Sequence, residues 1–160
     1  MINHYVLKTM ASNNISEVLE YLVLKKMAGR PEFLRALLEY VDGLASPTTI
    51  SSTYGLSKYQ FRGFAQRIYD KAGSRSMANL LIKITVPLIL EKTEVYIDRS
   101  QRPEMCKVCG KKLYNVFPED HIKKHHKDLV DYEKQKIVSE LKKILKQYSK
   151  ESKEVIADTY

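Results

Sequence analysis

The stretch MCKVCGKKLYNVFPEDHIKKHH, residues 105–126, concentrates side chains that are rare in the rest of the chain. It contains both cysteines and three of the four histidines found among the 160 residues. Cys106 and Cys109 are separated by two residues, and a chain reversal at Gly110 would point both thiolates inward. His121 and His125 lie four positions apart, so a helix would present both imidazoles on one face. Two thiolates opposite two imidazoles form a donor set that Zn²⁺ prefers.

This donor set predicts a closed tetrahedral site for one structural Zn²⁺ per chain, held by Cys106, Cys109, His121 and His125. His126 lies one position later and is also compatible in spacing, so the sequence leaves it open as a substitute for His125. Four protein ligands leave no position for water, which predicts a structural ion and no catalytic residues. A redox-active C-x-x-C pair is disfavoured, because no strand–helix alternation surrounds the cysteines.

The spacing of these residues resembles that of a CCHH-type zinc finger, over roughly residues 104–128, and Leu113 occupies the apolar position four after the second cysteine. The resemblance implies a short hairpin that carries the cysteines and packs on a helix that carries the histidines. The spacer of eleven residues is shorter than the usual spacer of about twelve. Pro118 replaces the apolar residue three before the first histidine, and Phe117 and Ile122 are expected to complete the small core.

The net charge of +8 is concentrated in two segments. Residues 46–76 contain five Lys or Arg against one Asp, and residues 106–128 contain six Lys against three acidic residues. Residues 1–45 carry five charges of each sign, residues 77–105 carry four of each, and residues 129–160 add only +1. Solvated surface lysines would explain such charge without any ligand, but each basic segment also carries a motif.

The motif of the first basic segment is SPTTISSTYGLSKYQFRGFAQRIYDKAG, residues 46–73, which predicts a short helix, a turn and a longer helix. It resembles the helix-turn-helix of DNA-binding regulators, with Gly55 as the turn glycine and Ser51 as the small residue four earlier. The alternative is an ordinary three-helix core, which shows the same pattern. The exposed side of the longer helix is predicted to contact phosphates and base edges through Ser57, Lys58, Tyr59, Arg62, Gln66 and Arg67.

Apolar periodicity predicts helices in most of the remaining chain. One begins with a capping pattern at Asn14 and another begins with Pro31, and a glycine follows each. Residues 74–97 carry apolar residues at helical spacing around Pro87, which favours a kinked helix over a pair of strands. Beyond the histidines, a 3-4 spacing of apolar residues predicts a long helix whose seam is interrupted by Lys134.

The predicted fold class is mostly α, with a small ββα unit. The predicted organisation is a helical domain at 1–97 containing the helix-turn-helix at 46–73, a linker at 98–103, a CCHH zinc finger at 104–128, and a C-terminal helix or tail at 129–160.

The two motifs together resemble those of small regulators encoded by archaea and by their viruses and plasmids. The resemblance implies a sequence-specific double-stranded DNA-binding protein, a transcriptional regulator without enzymatic activity or a small-molecule substrate. Residues 77–95 could form a homodimer contact, or they could close the core of the same monomer. The alternative function is a protein-interaction adaptor that uses the zinc finger and the C-terminal helix. A zinc nuclease is least favoured, because the only metal constellation has all four positions filled.

The first residues lack a basic start, an apolar stretch and a cleavage site, so no secretory signal is expected. The longest apolar run, LLIKITVPLIL, has 11 residues, too few to cross a hydrocarbon core of about 30 Å. We therefore expect no membrane contact and a cytoplasmic location, at the nucleoid or, for a viral protein, in the host cytoplasm.

Overall fold

Helices dominate the computed structural model of the protein, which describes residues 13–157. Seven helices contain 72% of these residues, and the predicted mostly helical class is therefore confirmed. The helices are α1 Asn13–Met27, α2 Pro31–Val41, α3 Pro47–Thr53, α4 Lys58–Ala72, α5 Arg75–Lys92, α6 Pro118–His125 and α7 Lys127–Ala157. Two short strands, β1 Ile97–Asp98 and β2 Met105–Cys106, pair antiparallel, with Ile97 opposite Cys106.

Local signals set several of the helix ends. The Ser46 side chain accepts a hydrogen bond of 3.2 Å from the backbone N–H of Thr49, and Pro47 begins α3. Gly73 follows α4 with a φ of 80°, a left-handed conformation that favours glycine. These short-range features account for the short helix, turn and longer helix that the sequence of residues 46–73 predicts.

The central helix is α1, which contacts α2, α4, α5, α6 and α7. Its residues Leu22, Val23 and Met27 have no exposed surface. The buried apolar residues form one continuous cluster that also includes Cys106 and Ile122. The segment that carries the cysteines and histidines therefore shares its core with the helical body.

Helix α5 runs without a break through Pro87, so residues 75–92 are helical and do not form the alternative strand pair. Its buried face includes Ala78, Ile82 and Thr85, whereas Leu80, in the predicted stripe, is 37% exposed. Thr85 donates a hydrogen bond of 2.7 Å to the carbonyl oxygen of Leu81, which satisfies its buried hydroxyl. Alanine, and a threonine whose hydroxyl bonds to its own helix, can thus form a helix contact. A prediction based on large apolar residues does not find such a contact.

The predicted linker, residues 98–103, lies against the helical body. Arg99 donates hydrogen bonds to the carbonyl oxygen of Gly29 at 2.9 Å and to a carboxylate oxygen of Glu104 at 3.0 Å. Gly29 has a φ of 75°, and a Cβ at this position would approach the Arg99 side chain to 3.2 Å. The backbone after β1 is therefore anchored at the turn between α1 and α2.

The first half of α7 packs on the helical body. Val130, Ile137 and Leu141 are buried, as the predicted seam requires. Lys134 donates to Ser16 at 2.8 Å and to Glu20 at 3.2 Å, so the charge that interrupts the seam has partners on α1.

A buried carboxylate also ties α7 to the chain near β1. Glu133 has no exposed surface and accepts a hydrogen bond of 2.7 Å from the hydroxyl of Tyr96. Burial, together with this hydrogen bond, raises the pKa of Tyr96 well above its ordinary value. The phenol therefore stays protonated and acts as a hydrogen-bond donor to α7.

None of the helices in residues 13–157 combines the length and the apolar character that a membrane crossing requires.

Candidate metal centre and basic surface

Four potential ligand atoms, from Cys106, Cys109, His121 and His126, lie within 4.8 Å of one another. The Sγ atom of Cys106 is 3.4 Å from Nε2 of His126, and Sγ of Cys109 is 3.5 Å from Nε2 of His121. Zinc–ligand bonds of about 2.0–2.3 Å in a tetrahedron place neighbouring donors about 3.5 Å apart. Both cysteines are free thiols, and the four residues are close enough to hold a metal ion.

The cysteines are placed by a tight chain reversal. The backbone N–H of Gly110 donates to the carbonyl oxygen of Cys106 at 2.9 Å, and the N–H of Cys106 donates to the carbonyl oxygen of Lys111 at 2.9 Å. Gly110 has a φ of 71°, which explains the glycine at this position. Met105 forms a single antiparallel bridge with Lys112, which closes the turn around both sulfur atoms.

The fourth potential ligand is His126, and the preferred choice from the sequence, His125, is not part of the cluster. Helix α6 ends at His125, and His126 has a non-helical backbone with φ −132° and ψ 42°. The expectation for His125 assumed one helical face for both histidines. The helix instead ends one residue before the second ligand, and this change of backbone direction brings His126 to Cys106, while His125 is exposed.

The cluster lies at the edge of the core. Cys106 has no exposed surface and His121 is only 3% exposed, whereas Cys109 is exposed. Burial lowers the pKa of His121, and the nearby imidazoles of His126 and His125 lower it further. These effects favour the neutral imidazole, which is the form that binds a metal.

Ion pairs join α6 to α1 beside the cluster. Lys25 Nζ is 3.0 Å from Oε1 of Glu119, and these two side chains are only 13% and 16% exposed. The same ammonium group lies 4.6 Å from the centre of the Phe33 ring. Arg30 Nε is 3.8 Å from Oε1 of Glu119. The orientation of α6 on the body is therefore set by partly buried charges as well as by the apolar contact of Ile122.

The residues predicted for DNA contact extend from Ser57, just before α4, to Arg67 in the second half of this helix. Ser57, Tyr59, Arg62, Gln66 and Arg67 are exposed, and Lys58 is half-buried. Lys58 Nζ lies 5.3 Å from the centre of the Tyr59 ring, and two of the other residues donate side-chain hydrogen bonds. Gln66 donates to Asp70 at 2.9 Å, and Arg67 donates to the hydroxyl of Tyr21 at 3.2 Å.

A groove beside this surface was not predicted from the sequence. It has a volume of about 590 Å³ and lies between α1, α4 and α6. The sequence assigned Phe117 to the core of the predicted finger, residues 104–128, which we call the metal-binding segment. Phe117 is instead 70% exposed and lines this groove. The shape of the groove depends on how α6 packs on the helical body. The only local sign of it in the sequence is that aromatic residues lie close to basic residues.

Comparison of the chain with models of known protein families, with curated proteins and with solved structures found no significant match. The fold and the site therefore define the class only as a mostly helical protein with a potential Cys₂His₂ metal centre.

Proposed function

We propose that the chain is a sequence-specific double-stranded DNA-binding protein that acts as a transcriptional regulator, with one structural Zn²⁺ and no enzymatic activity. The observation that carries the proposal is the exposed face of α4, where Arg62 and Gln66 are both accessible in a segment with five basic residues and one acidic residue. Guanidinium and amide groups can contact base edges in a major groove, and basic side chains contact phosphates. This function would place the protein with the nucleoid DNA, or with DNA in the host cytoplasm if it is viral.

The arrangement of α3 and α4 supports a helix-turn-helix. The two helices are separated by a turn in which Gly55 has a φ of 67°. Ile50 and Ser51 on α3 and Phe61 on α4 are buried. Ser51 donates a hydrogen bond of 2.6 Å to the carbonyl oxygen of Pro47, so its hydroxyl is satisfied at the helix contact. In this proposal, α4 is the helix that enters the major groove.

The chemistry of the donor set supports zinc as the ion and a structural role for it. Two thiolates and two imidazoles within 4.8 Å of one another match a donor set that structural zinc sites use. Four protein ligands leave no open position at which a substrate or an activated water could bind. The ion would hold the segment around residues 104–128 in the CCHH-type ββα arrangement and would hold α6 in position against α1.

Salt-dependent binding to duplex DNA tests the proposal. We expect the affinity to fall steeply with salt, with a slope of about 0.9 per neutralised phosphate. Arg62→Ala should weaken binding about tenfold or more, because it removes a contact to a base or phosphate. Lys146→Ala, which removes an exposed cation of α7, serves as the matched control. A duplex affinity that is independent of salt, or equal losses for both variants, would contradict the proposal.

A homodimer through residues 77–95 remains part of this proposal. Met77, Ile84 and Leu88 are half-buried and Leu80 is partly exposed, so a second copy could cover this edge of α5. Regulators of this kind commonly bind two-fold symmetric sites as dimers. Sedimentation of the wild type and of Leu80→Glu tests it, and a monomeric wild type at working concentrations would exclude the dimer.

Exposed apolar side chains of the metal-binding segment favour one alternative function, a protein-interaction adaptor. Val108 is 47% exposed and Tyr114 is 66% exposed in the described structure. On α7, Tyr148 is 65% exposed. Binding to a protein partner that persists at high salt and requires the finger and the C-terminal helix would support the adaptor over the regulator.

A further inference from the structure

The groove between α1, α4 and α6 has the size of a ligand site. Its volume of about 590 Å³ lies within the range of about 300–1,000 Å³ that small-molecule sites occupy. Its walls come from the helical body and from the metal-binding segment, so its shape depends on both. The residues proposed for duplex contact overlap with its lining only at Tyr59 and Arg67, and Arg62 is not among the lining residues.

Two exposed aromatic rings lie on different walls of this groove. Tyr59 on α4 is 76% exposed, and Phe117, immediately before α6, is 70% exposed. A single exposed aromatic residue is ordinary, but two of them from different elements of one groove offer flat apolar faces to a ligand. The bases of nucleic acids stack on such faces.

The charges of the groove favour an anion. Its lining includes five basic side chains, from Lys25, Arg30, Arg67, Lys71 and Lys123, and two acidic ones, from Glu119 and Asp120. Three of the basic side chains already face carboxylates, because Lys25 and Arg30 pair with Glu119 and Lys123 lies 3.6 Å from Glu20. Arg67 donates to a neutral partner, the Tyr21 hydroxyl, and Lys71 lies 5.6 Å from the centre of the Tyr21 ring. Neither contact neutralises the positive charge of Arg67 or of Lys71, so both side chains can attract a phosphate.

The glycine in the middle of α4 leaves room for a ligand to approach the helix. Gly63 lines the groove and lies four residues after Tyr59 and four before Arg67, on the same side of the helix. Apart from the adjoining residues and backbone of α4 itself, a Cβ at this position would meet no atom of the described residues within 4 Å, so packing against them does not require glycine. Glycine lowers helix stability relative to alanine, and close approach of a ligand would explain its presence.

We propose that this groove binds a nucleotide unit of single-stranded nucleic acid. The base stacks against Phe117 and Tyr59, and the phosphate lies between Arg67 and Lys71. A single strand exposes both the face of the base and the phosphate, whereas a duplex hides the base faces in its stack. The site therefore differs from the proposed duplex-reading surface and would serve where strands are separated.

The test measures the affinity of the full-length, zinc-loaded protein for a fluorescein-labelled oligothymidine of about 12 nucleotides, a length within the site sizes of single-strand binders. Phe117→Leu keeps the apolar bulk but removes the flat ring, and should lower the affinity about tenfold. Tyr148→Leu removes a comparably exposed ring from α7 and should change it less than twofold. Zinc content and circular dichroism verify that both variants are folded.

A second variant, Gly63→Ala, separates ligand binding from structural damage. Its methyl group fits the described structure without a clash, so thermal stability should rise while the affinity for the oligonucleotide falls. Free thymidine monophosphate is added as a competitor. Displacement shows that the mononucleotide alone suffices, and Phe117-dependent binding without displacement shows that the strand is needed; both results support the proposal.

The duplex-binding proposal and the groove proposal can be tested independently of each other. Arg62→Ala should weaken duplex binding and leave oligothymidine binding within twofold, and Phe117→Leu should do the reverse. Oligothymidine binding that is undetectable in the wild type, or equal in Phe117→Leu and Tyr148→Leu, would overturn the groove proposal whatever the duplex result.

Discussion

At the scale of single residues, the make-up of the potential metal centre depends on where α6 ends. His125 and His126 are adjacent and chemically identical, and only the non-helical backbone of His126 directs its imidazole to Cys106. His125 is exposed and lies outside the cluster of four potential ligands. Alanine variants of His125 and His126 can therefore be compared directly, each as the control for the other.

Replacing each of these histidines with alanine tests the assignment. His126→Ala should lower the affinity for zinc by at least about 100-fold, because three ligands and a water replace a closed site. His125→Ala should leave the affinity within about twofold, because this residue is not a ligand. Competition with a chromogenic zinc chelator measures both. The opposite order of losses would show that His125 is the ligand.

At the scale of secondary-structure elements, α6 is held on α1 by partly buried charges. Glu119 is 16% exposed, and its carboxylate is shared by Lys25 and Arg30. Removing one partner of a partly buried ion pair leaves the other without compensation, which costs more than removing an exposed pair. The packing of α6 on α1 should therefore be sensitive to the loss of the Glu119 carboxylate.

Glu119→Ala should lower the free energy of unfolding by about 1–3 kcal/mol, because Lys25 loses its hydrogen-bond acceptor and Arg30 loses its ion-pair partner. Glu91→Ala is the control, since Glu91 is 67% exposed and pairs only with Lys92 at 3.4 Å in the described chain. Its effect should stay within about 0.5 kcal/mol. Urea unfolding followed by circular dichroism measures both changes. Equal effects would show that the pair does not hold α6.

The helices themselves were predictable, because their signals are local. Proline at the start of α2 and α3, and the left-handed glycine after α4, act within a few residues of sequence. The buried face of α5 was not predictable, because Ala78 and Thr85 are buried only through their contacts with other helices. Cys106, Cys109 and His121 of the potential metal cluster were predicted, whereas His126 was predicted only as a substitute for His125, since the end of α6 decides between these two neighbours.

At the scale of the whole molecule, the metal-binding segment and the helical body share one core. Cys106, Leu113 and Ile122 belong to the same buried cluster as the residues of α1. The groove follows from this docking, so no local pattern could predict its shape. Removing the metal is expected to loosen the segment and the groove together, while α2 and α3, which have no ligand residues, remain helical.

The most direct test of the account is a joint measurement of the metal content and coordination of the purified chain. Elemental analysis should find one zinc per chain. X-ray absorption should find two sulfur neighbours at about 2.3 Å and two nitrogen neighbours at about 2.0–2.1 Å. A chain without stoichiometric metal, or an ion with only oxygen and nitrogen neighbours, would contradict the proposed zinc centre and the role given to it.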